Sequence, residues 1–369
     1  MRQNLSNVVA IDSESTRKLA SQAFVPSSVM TFRLPEDTTL RALVLRLSGS
    51  IVTTFASGTP VADDFGPFDD LVSTIQVRVG GSDSIKTVTP RMAAFHQLLD
   101  AGIRGERKSS SAAAAVTGGD VTADSSAFTY GTTTQVTSVA ESLVIFFECP
   151  LVKFGRQQTW LNLRGIVGSE LILNTKAYSA LLGFGNTAPV VYSSSTLQID
   201  VKLIEARTVE QNRKFQVYKE TFQTEPFSAA AANRVINLNK GQKIIGLSML
   251  ARDGASGSTT TATGLLASDI LVDQIKLTLN GSFTPRNETW FELQADNKAR
   301  FNINAPYSSN KSILQGFAYM DLTQFGVIDS ALDARFLDNV QLEISTKSAA
   351  TYTSVATLLV HQHELVEAK

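Results

Sequence analysis

The stretch from Asp69 to Leu98 comes round again from Ser268 to Leu293, and any fold for this chain has to build it twice. Leu71, Val72, Ile75 and Gly81 match Leu271, Val272, Ile275 and Gly281 at a constant offset of 200. At an offset of 195, Thr89, Pro90 and Arg91 match Thr284, Pro285 and Arg286, as though five residues had dropped out of the turn. Phe95 then stands opposite Trp290 and Leu98 opposite Leu293.

Each copy reads as a strand, a turn and a helix start. Ile75, Val77 and Val79 alternate with Gln76 and Arg78, and Ile275, Leu277 and Leu279 with Lys276 and Thr278, the period-two pattern of a strand with one buried face. Glycines turn the chain. A Thr-Pro pair then offers a capping hydroxyl and a proline at the first helical position, where its missing N–H costs nothing. The spacing predicts helices that start at Thr89-Pro90-Arg91 and at Thr284-Pro285-Arg286. Met92, Phe95, Leu98 and Leu99 supply the apolar stripe of one, and Trp290, Phe291 and Leu293 that of the other.

The matching extends to both sides of this stretch. Leu34 and Leu43 match Leu238 and Leu247 at an offset of 204. Phe146, Leu151, Phe154 and Gly155 match Phe317, Leu322, Phe325 and Gly326 at 171, and Leu203 and Glu205 match Leu365 and Glu367 at 162. The shrinking offset places the extra length of the first half in turns, chiefly the polar, low-complexity run 104–126. Doubling a surface loop costs only about 0.6 kcal/mol, so two similar cores can carry different rims. Each half holds seven or eight short apolar runs separated by Gly, Pro, Ser and Asn clusters. The reading is mainly β: two tandem eight-stranded jelly rolls, each with a short flanking helix. Residues 1–23 form an N-terminal arm, 24–206 the first roll, 207–221 a linker and 222–369 the second roll.

Chemistry is sparse. With 33 basic and 34 acidic residues the chain has no net attraction for nucleic acid, and no direct nucleic-acid binding is expected. A charged fraction of 18% suits sheets and protein contacts better than a heavily solvated surface. The single cysteine, Cys149, rules out an intrachain disulfide and, beside an apolar run, reads as a free thiol. No apolar stretch has bilayer length and the N-terminal stretch MRQNLSNVVAIDSES lacks a signal-peptide core, which implies synthesis and residence in cytosol-like conditions. There is no P-loop, HExxH, GxSxG or cysteine–histidine metal spacing, so neither a catalytic residue nor a cofactor is expected. Gly183-Phe184-Gly185 is a lone GxG without the helix that phosphate binding needs.

Weak metal candidates remain. His361 and His363 point to one side of the last strand, which is ligand-like, but their matches in the first half, Ile199 and Val201, are apolar, and no third ligand is evident. A packed or interface position is the better reading. His96, on the first helix, reads as a surface or buried polar contact. Asp63, Asp64, Asp69 and Asp70 crowd around Phe65-Gly66-Pro67-Phe68 and could hold calcium, but EF-hand spacing is absent and turn and cap roles are commoner. Arg104, Arg107 and Lys108 read as a solvated loop.

Asp64-Phe65-Gly66-Pro67, then Leu71-Val72 and Ile75, a helix, and the strand Ile145-Phe146-Phe147 leading into Pro150-Leu151 resemble the first barrel of the major capsid protein of tectivirus-type tailless bacteriophages. The resemblance spans roughly residues 24 to 369 and implies a double jelly-roll capsid protein without catalysis. By the same resemblance three chains would form a pseudo-hexagonal homotrimer that tiles an icosahedral shell. Its implied neighbours are other capsomers, minor capsid and vertex proteins and, at one end and through the arm, an internal lipid membrane. The chain would be made in host cytoplasm and reside in the virion capsid. The rival readings are a carbohydrate-binding or glycan-cleaving β-sandwich such as a receptor-binding spike, and a minor vertex protein. A glycan platform would need an exposed aromatic patch, and Trp160 and Trp290 are the only tryptophans. If the arm contacts a membrane or a neighbouring capsomer, deleting residues 1–20 should leave trimers intact and abolish particles.

Overall fold

A computed structural model describes residues 14–54, 67–81, 83–101, 107–111, 135–181, 191–206, 216–227, 233–254, 265–303, 314–347 and 355–366. The first half contains β1 (Glu14–Ala23), β2 (Val29–Arg33), β3 (Thr39–Thr54), α1 (Pro67–Leu71), β4 (Val72–Val79), β5 (Asp83–Val88), α2 (Pro90–Ala101), β6 (Arg107–Ser111), β7 (Gln135–Phe146), β8 (Leu161–Asn162), β9 (Glu170–Thr175), β10 (Val191–Ser193) and β11 (Gln198–Ala206). The second contains β12 (Val217–Phe227), β13 (Asn233–Asn237), β14 (Lys243–Gly254), β15 (Leu265–Ala267), β16 (Val272–Leu279), β17 (Phe283–Thr289), α3 (Trp290–Arg300), β18 (Phe317–Asp321), β19 (Leu332–Asp333), β20 (Val340–Thr346) and β21 (Ala356–Val366).

The hydrogen-bonded order is the same in both halves. One sheet of the first half runs β1-β11-β3-β7, and its counterpart in the second runs β12-β21-β14-β18; the facing sheets run β2-β9-β4-β5 and β13-β20-β16-β17. Each half is therefore an eight-stranded jelly roll, and the chain is a double one. In β3 the alternation seen in sequence is the packing pattern: Leu43, Leu45 and Leu47 are buried and Arg46 is exposed. The second roll closes around Leu247, Met249, Ile275, Leu277, Trp290, Leu342, Ile344, Leu358 and Val360.

The rolls meet along a seam that is itself core. Tyr218, Ile245, Leu250, Phe317, Tyr319, Leu359 and Leu365 belong to the second half yet pack into the hydrophobic cluster of the first. The sheet β12-β21-β14-β18 thus has one face inside its own roll and the other against its neighbour, so β18 is buried at every position. Helix α2 lies in this seam and is buried nearly all round, with Phe95 stacked on Phe317 at 4.5 Å between centroids. Its equivalent α3 stays amphipathic: Trp290, Leu293, Gln294 and Asn297 face inward, while Phe291 and Glu292 are exposed. At one end of the seam two matching turns join, with Lys153 N–H and Phe154 N–H donating to Gly326 O. Gly155 there has a φ of 82°, and a Cβ would lie 2.5 Å from Ile328 Cγ2, so glycine satisfies both the turn and the close approach.

Several boundaries differ from expectation. Residues 14–23 of the arm are β1, an edge strand paired antiparallel with β11, just as β12 pairs with β21. The linker residues 217–221 likewise belong to β12. Arm and linker end in the first strand of each roll, and deleting residues 1–20 would remove most of β1. The second helix does not start at Thr284-Pro285-Arg286, which lie in β17. It starts at Trp290, with Thr289 as its cap: Glu292 N–H donates to Thr289 Oγ1, and Thr289 N–H to Glu292 Oε2 at 2.7 Å. Thr89 and Thr289 are 200 apart, so the original offset continues and no residues drop out. Proline tolerates β17 because it sits on an edge strand. In the first copy the helix does begin at Pro90, where Met92 N–H donates to Thr89 Oγ1 at 3.3 Å.

The register makes a direct prediction. Thr289→Ala should destabilise the chain by about 1 kcal/mol through loss of the cap, whereas Thr284→Ala, at a solvent-accessible strand position, should stay within about 0.5 kcal/mol of the parent. Equal losses in denaturant titration would contradict this helix start.

Candidate functional site

The polar side chains buried in the seam form a concentrated constellation. Strand β12 of the second roll and β5 of the first touch through a single parallel bridge, Glu220 with Lys86. Alternation in β12 turns Tyr218 and Glu220 toward the first roll, while Lys219 and Thr221 face away. Lys86 Nζ donates to Glu220 Oε2 at 2.9 Å and lies 3.8 Å from the centre of the Tyr218 ring, and both charges are essentially inaccessible, at 2% and 1%.

The chain has three histidines, and all of them converge here. Strand β21 delivers His361 and His363 on the face shared with Leu359 and Leu365, and α2 delivers His96 from the other roll. His361 Nδ1 lies 3.0 Å from Glu220 Oε1, and His96 Nδ1 3.7 Å from the same oxygen. Ser248 Oγ of β14 lies 2.7 Å from His363 Nε2 and 3.2 Å from His96 Nε2, and the Tyr218 hydroxyl lies 2.8 Å from His363 Nδ1.

These distances fit one set of proton positions. The Tyr218 hydroxyl donates to His363 Nδ1, His363 Nε2–H to Ser248, Ser248 O–H to His96 Nε2, and the Nδ1–H groups of His96 and His361 point at Glu220, an assignment made from the hydrogen-bond network. It requires three neutral imidazoles. Burial depresses each of them: His96 falls to about 4, His363 moves well below its ordinary value of 6.5, and His361 is lowered, with Glu220 opposing the fall in every case. Burial pushes Glu220 up, but Lys86 and the histidines outweigh it and hold the carboxyl well below its usual range. Burial raises the Tyr218 and Tyr319 hydroxyls and lifts the Cys149 thiol to about 12, so these stay protonated. Cys149 is thus an inert structural thiol.

His96, Glu220 and His363 present donor atoms within 4.8 Å of one another, so the third ligand missing from the sequence exists in space. The set nevertheless suits a metal poorly. Its only carboxylate is already neutralised by Lys86, both nitrogens of His363 are engaged, and a divalent ion would bring two uncompensated charges into a buried site. The cluster is a hydrogen-bonded lock between rolls, closed to any substrate.

The other candidates fall elsewhere. Asp69 is tied to Arg91, whose Nη2 lies 2.7 Å from Oδ2 and whose backbone N–H donates to Oδ1 at 3.1 Å. Asp70 is buried near the end of the first roll's helical turn α1. The carboxylate of Asp69 therefore serves structure. Asp63, Asp64, Gly183-Phe184-Gly185 and Arg104 lie outside the described residues, and Arg107 and Lys108 begin β6. Trp160 and Trp290 are both buried, Trp290 with its Nε1–H donating to Asp269, so neither forms a sugar platform.

The ladders also correct the matches of the histidines. Leu43 pairs with Leu203, and its equivalent Leu247 pairs with Gln362, so the last strands correspond at an offset of 159. Ile199 and Val201 are then the counterparts of Leu358 and Val360. His361 and His363 correspond to Lys202 and Ile204 on the outward face of the first roll, and Tyr218 and Glu220 to the exposed Glu14 and Thr16. A shift of three residues moves a strand residue to the opposite face. Phe146 and Phe317 are likewise four residues out of register, since Ile145 and Met320 pair with Leu43 and Leu247. The alternations Tyr218-x-Glu220-x-Phe222 and Leu359-x-His361-x-His363-x-Leu365 were the available signal, polar groups set among apolar ones on a single face.

The sequence matches no family model and no curated protein. Solved structures do match along the whole chain. The major capsid protein of Sulfolobus turreted icosahedral virus superposes with a TM-score of 0.64 at 12% identity, covering 96% of this chain and 97% of that one. The major capsid protein of bacteriophage PM2 gives 0.57 at 10% identity over 97% and 99% of the two chains. The PBCV-1 virus capsid gives 0.59 at 10% identity over 99% and 95%. The likeness establishes the shared double jelly-roll fold.

Breaking the seam's ion pair should be costly from either side. Lys86→Met and Glu220→Gln should each destabilise by about 3–5 kcal/mol, because each leaves an uncompensated buried partner. The double variant should lose clearly less than the sum, and additive losses in denaturant titration would contradict direct coupling.

Proposed function

We propose that this chain is the major capsid protein of an icosahedral virus, and that three copies form a pseudo-hexagonal tile. The observation that carries the reading is end-to-end coverage: viral major capsid proteins of nearly the same length match both rolls and the seam together, in both directions of comparison. Pseudo-sixfold tiling needs two similar but non-identical rolls in one rigid piece, and a core-like seam supplies the rigidity. Near-zero net charge suits a shell that does not itself neutralise a genome. The glycan-binding rival loses its support, since both tryptophans are buried.

In this reading the partners are further copies of the chain, minor capsid and vertex proteins, and an internal membrane touched peripherally by the arm; no helix among the described residues is long and apolar enough to cross one. Exposed aromatics supply contact anchors. Phe325 is 91% exposed and Phe336 84%, and Phe325 holds a φ of 55°, a left-handed conformation that is unfavourable for an aromatic residue.

Native mass with negative-stain imaging tests the proposal: a trimer with a hexagonal outline is expected, and a persistent monomer would overturn it. Phe325→Asn, which suits the left-handed backbone and removes the exposed ring, should leave the melting temperature of the chain unchanged or raised while lowering the yield of assembled particles.

A further inference from the structure

We propose that the seam between the two rolls is an acid-releasable latch, in which Tyr218, Ser248, Glu220 and the three histidines hold the rolls in register only while every imidazole is neutral. The inference rests on the geometry of the seam and stands whether or not the chain forms a capsid.

Two of the imidazoles use one nitrogen as an acceptor. His363 Nδ1 accepts from Tyr218 and His96 Nε2 from Ser248, so protonating either removes an acceptor that a buried hydroxyl needs. His361 Nε2 is buried with no partner, and protonation there would create a buried N–H with nothing to accept it. Every element around the cluster adds a constraint. Strand β5 presents Lys86; β12 presents Tyr218 and Glu220; β14 presents Ser248 and, farther off, the cation Arg252; β18 presents Tyr319; and the turn after β7 presents Cys149. Glu220 is the only anion among these, and Lys86 already shares it. The His96 and His363 rings stand 5.0 Å apart, so a second imidazolium would also meet the first.

The sign follows. Each histidine is depressed in the folded state below its ordinary value of 6.5, to about 4 for His96. Between these limits an opened seam binds more protons than a closed one, so the latch is fully effective above about pH 6.5 and weakens as pH falls toward 4. Glu220, held well below its usual range, remains ionised throughout this window. The cluster lies outside the core of the second roll, so acid acts on the joint between rolls before it acts on that roll.

The test uses the full chain. Melting temperatures are measured from pH 7.5 to 4.5 for the parent and for a His96→Gln/His361→Gln/His363→Gln variant, and amide exchange of the parent is followed by mass spectrometry at the same pH values after correction for intrinsic rates. The parent should lose several degrees between pH 6.5 and 4.5 and the variant markedly less. In the parent, α2, β5 and β12 should lose protection while β16 and β20 keep theirs. An equal loss in the variant would overturn the proposal. So would parent exchange in which β16 and β20 open together with the seam, a result that decides the matter even if the variant does not fold.

Discussion

A lysine and a glutamate, both removed from water, sit at the single residue pair where the sheet of one roll passes into the sheet of the other. Lys86 and Glu220 are bridged through their backbones and paired through their side chains. Neither charge would be tolerated there alone, since an unpaired buried ion costs several kcal/mol. Their pairing makes the relative position of the rolls specific: apolar contacts such as Phe95 on Phe317 would survive a small slide, but this ion pair and the histidine network on the same carboxylate would not. The seam combines nondirectional burial with a few directional bonds that select one arrangement.

Duplication followed by stacking explains why equivalent elements look so different. Helices α2 and α3 occupy the same place in their rolls, yet α2 is covered by the neighbouring roll and is buried nearly all round, Arg91 and His96 included, while α3 exposes one side and carries charges there. The same holds for the first sheets. Glu14, Thr16 and Lys202 lie on the outward face of the first roll, whereas their counterparts Tyr218, Glu220 and His361 lie on a face that the first roll covers. One fold, used twice in a row, presents an outer surface in one copy and an interface in the other.

Much of the architecture was legible from the chain alone. The offset of 200 and the alternation in β4 and β16 are local patterns, and local patterns survive because each strand must keep one face apolar wherever it packs. Identity of short motifs proved a poorer guide than ladder register. The Thr-Pro-Arg match placed the second helix start five residues early, and the last strand was matched three residues out of step, which set His361 and His363 against residues of the opposite face. Thr289 is the cap because of a reciprocal bond with Glu292, a signature that was present in the sequence as Thr-x-x-Glu. The arm was read as separate because its exposed edge strand has no apolar stripe to announce it.

By itself the sequence determined two rolls of like topology, their strands and their inner cores, since these follow from periodicities of a few residues. Only the tertiary structure decided where the rolls touch, and with it the meaning of Lys86, His96, Glu220, Ser248, His361 and His363. Those residues come from five separate strands and helices, and a charge or an imidazole carries no local mark of whether the surface opposite it is water or another roll. Burial by a distant part of the chain turned scattered polar residues into one lock.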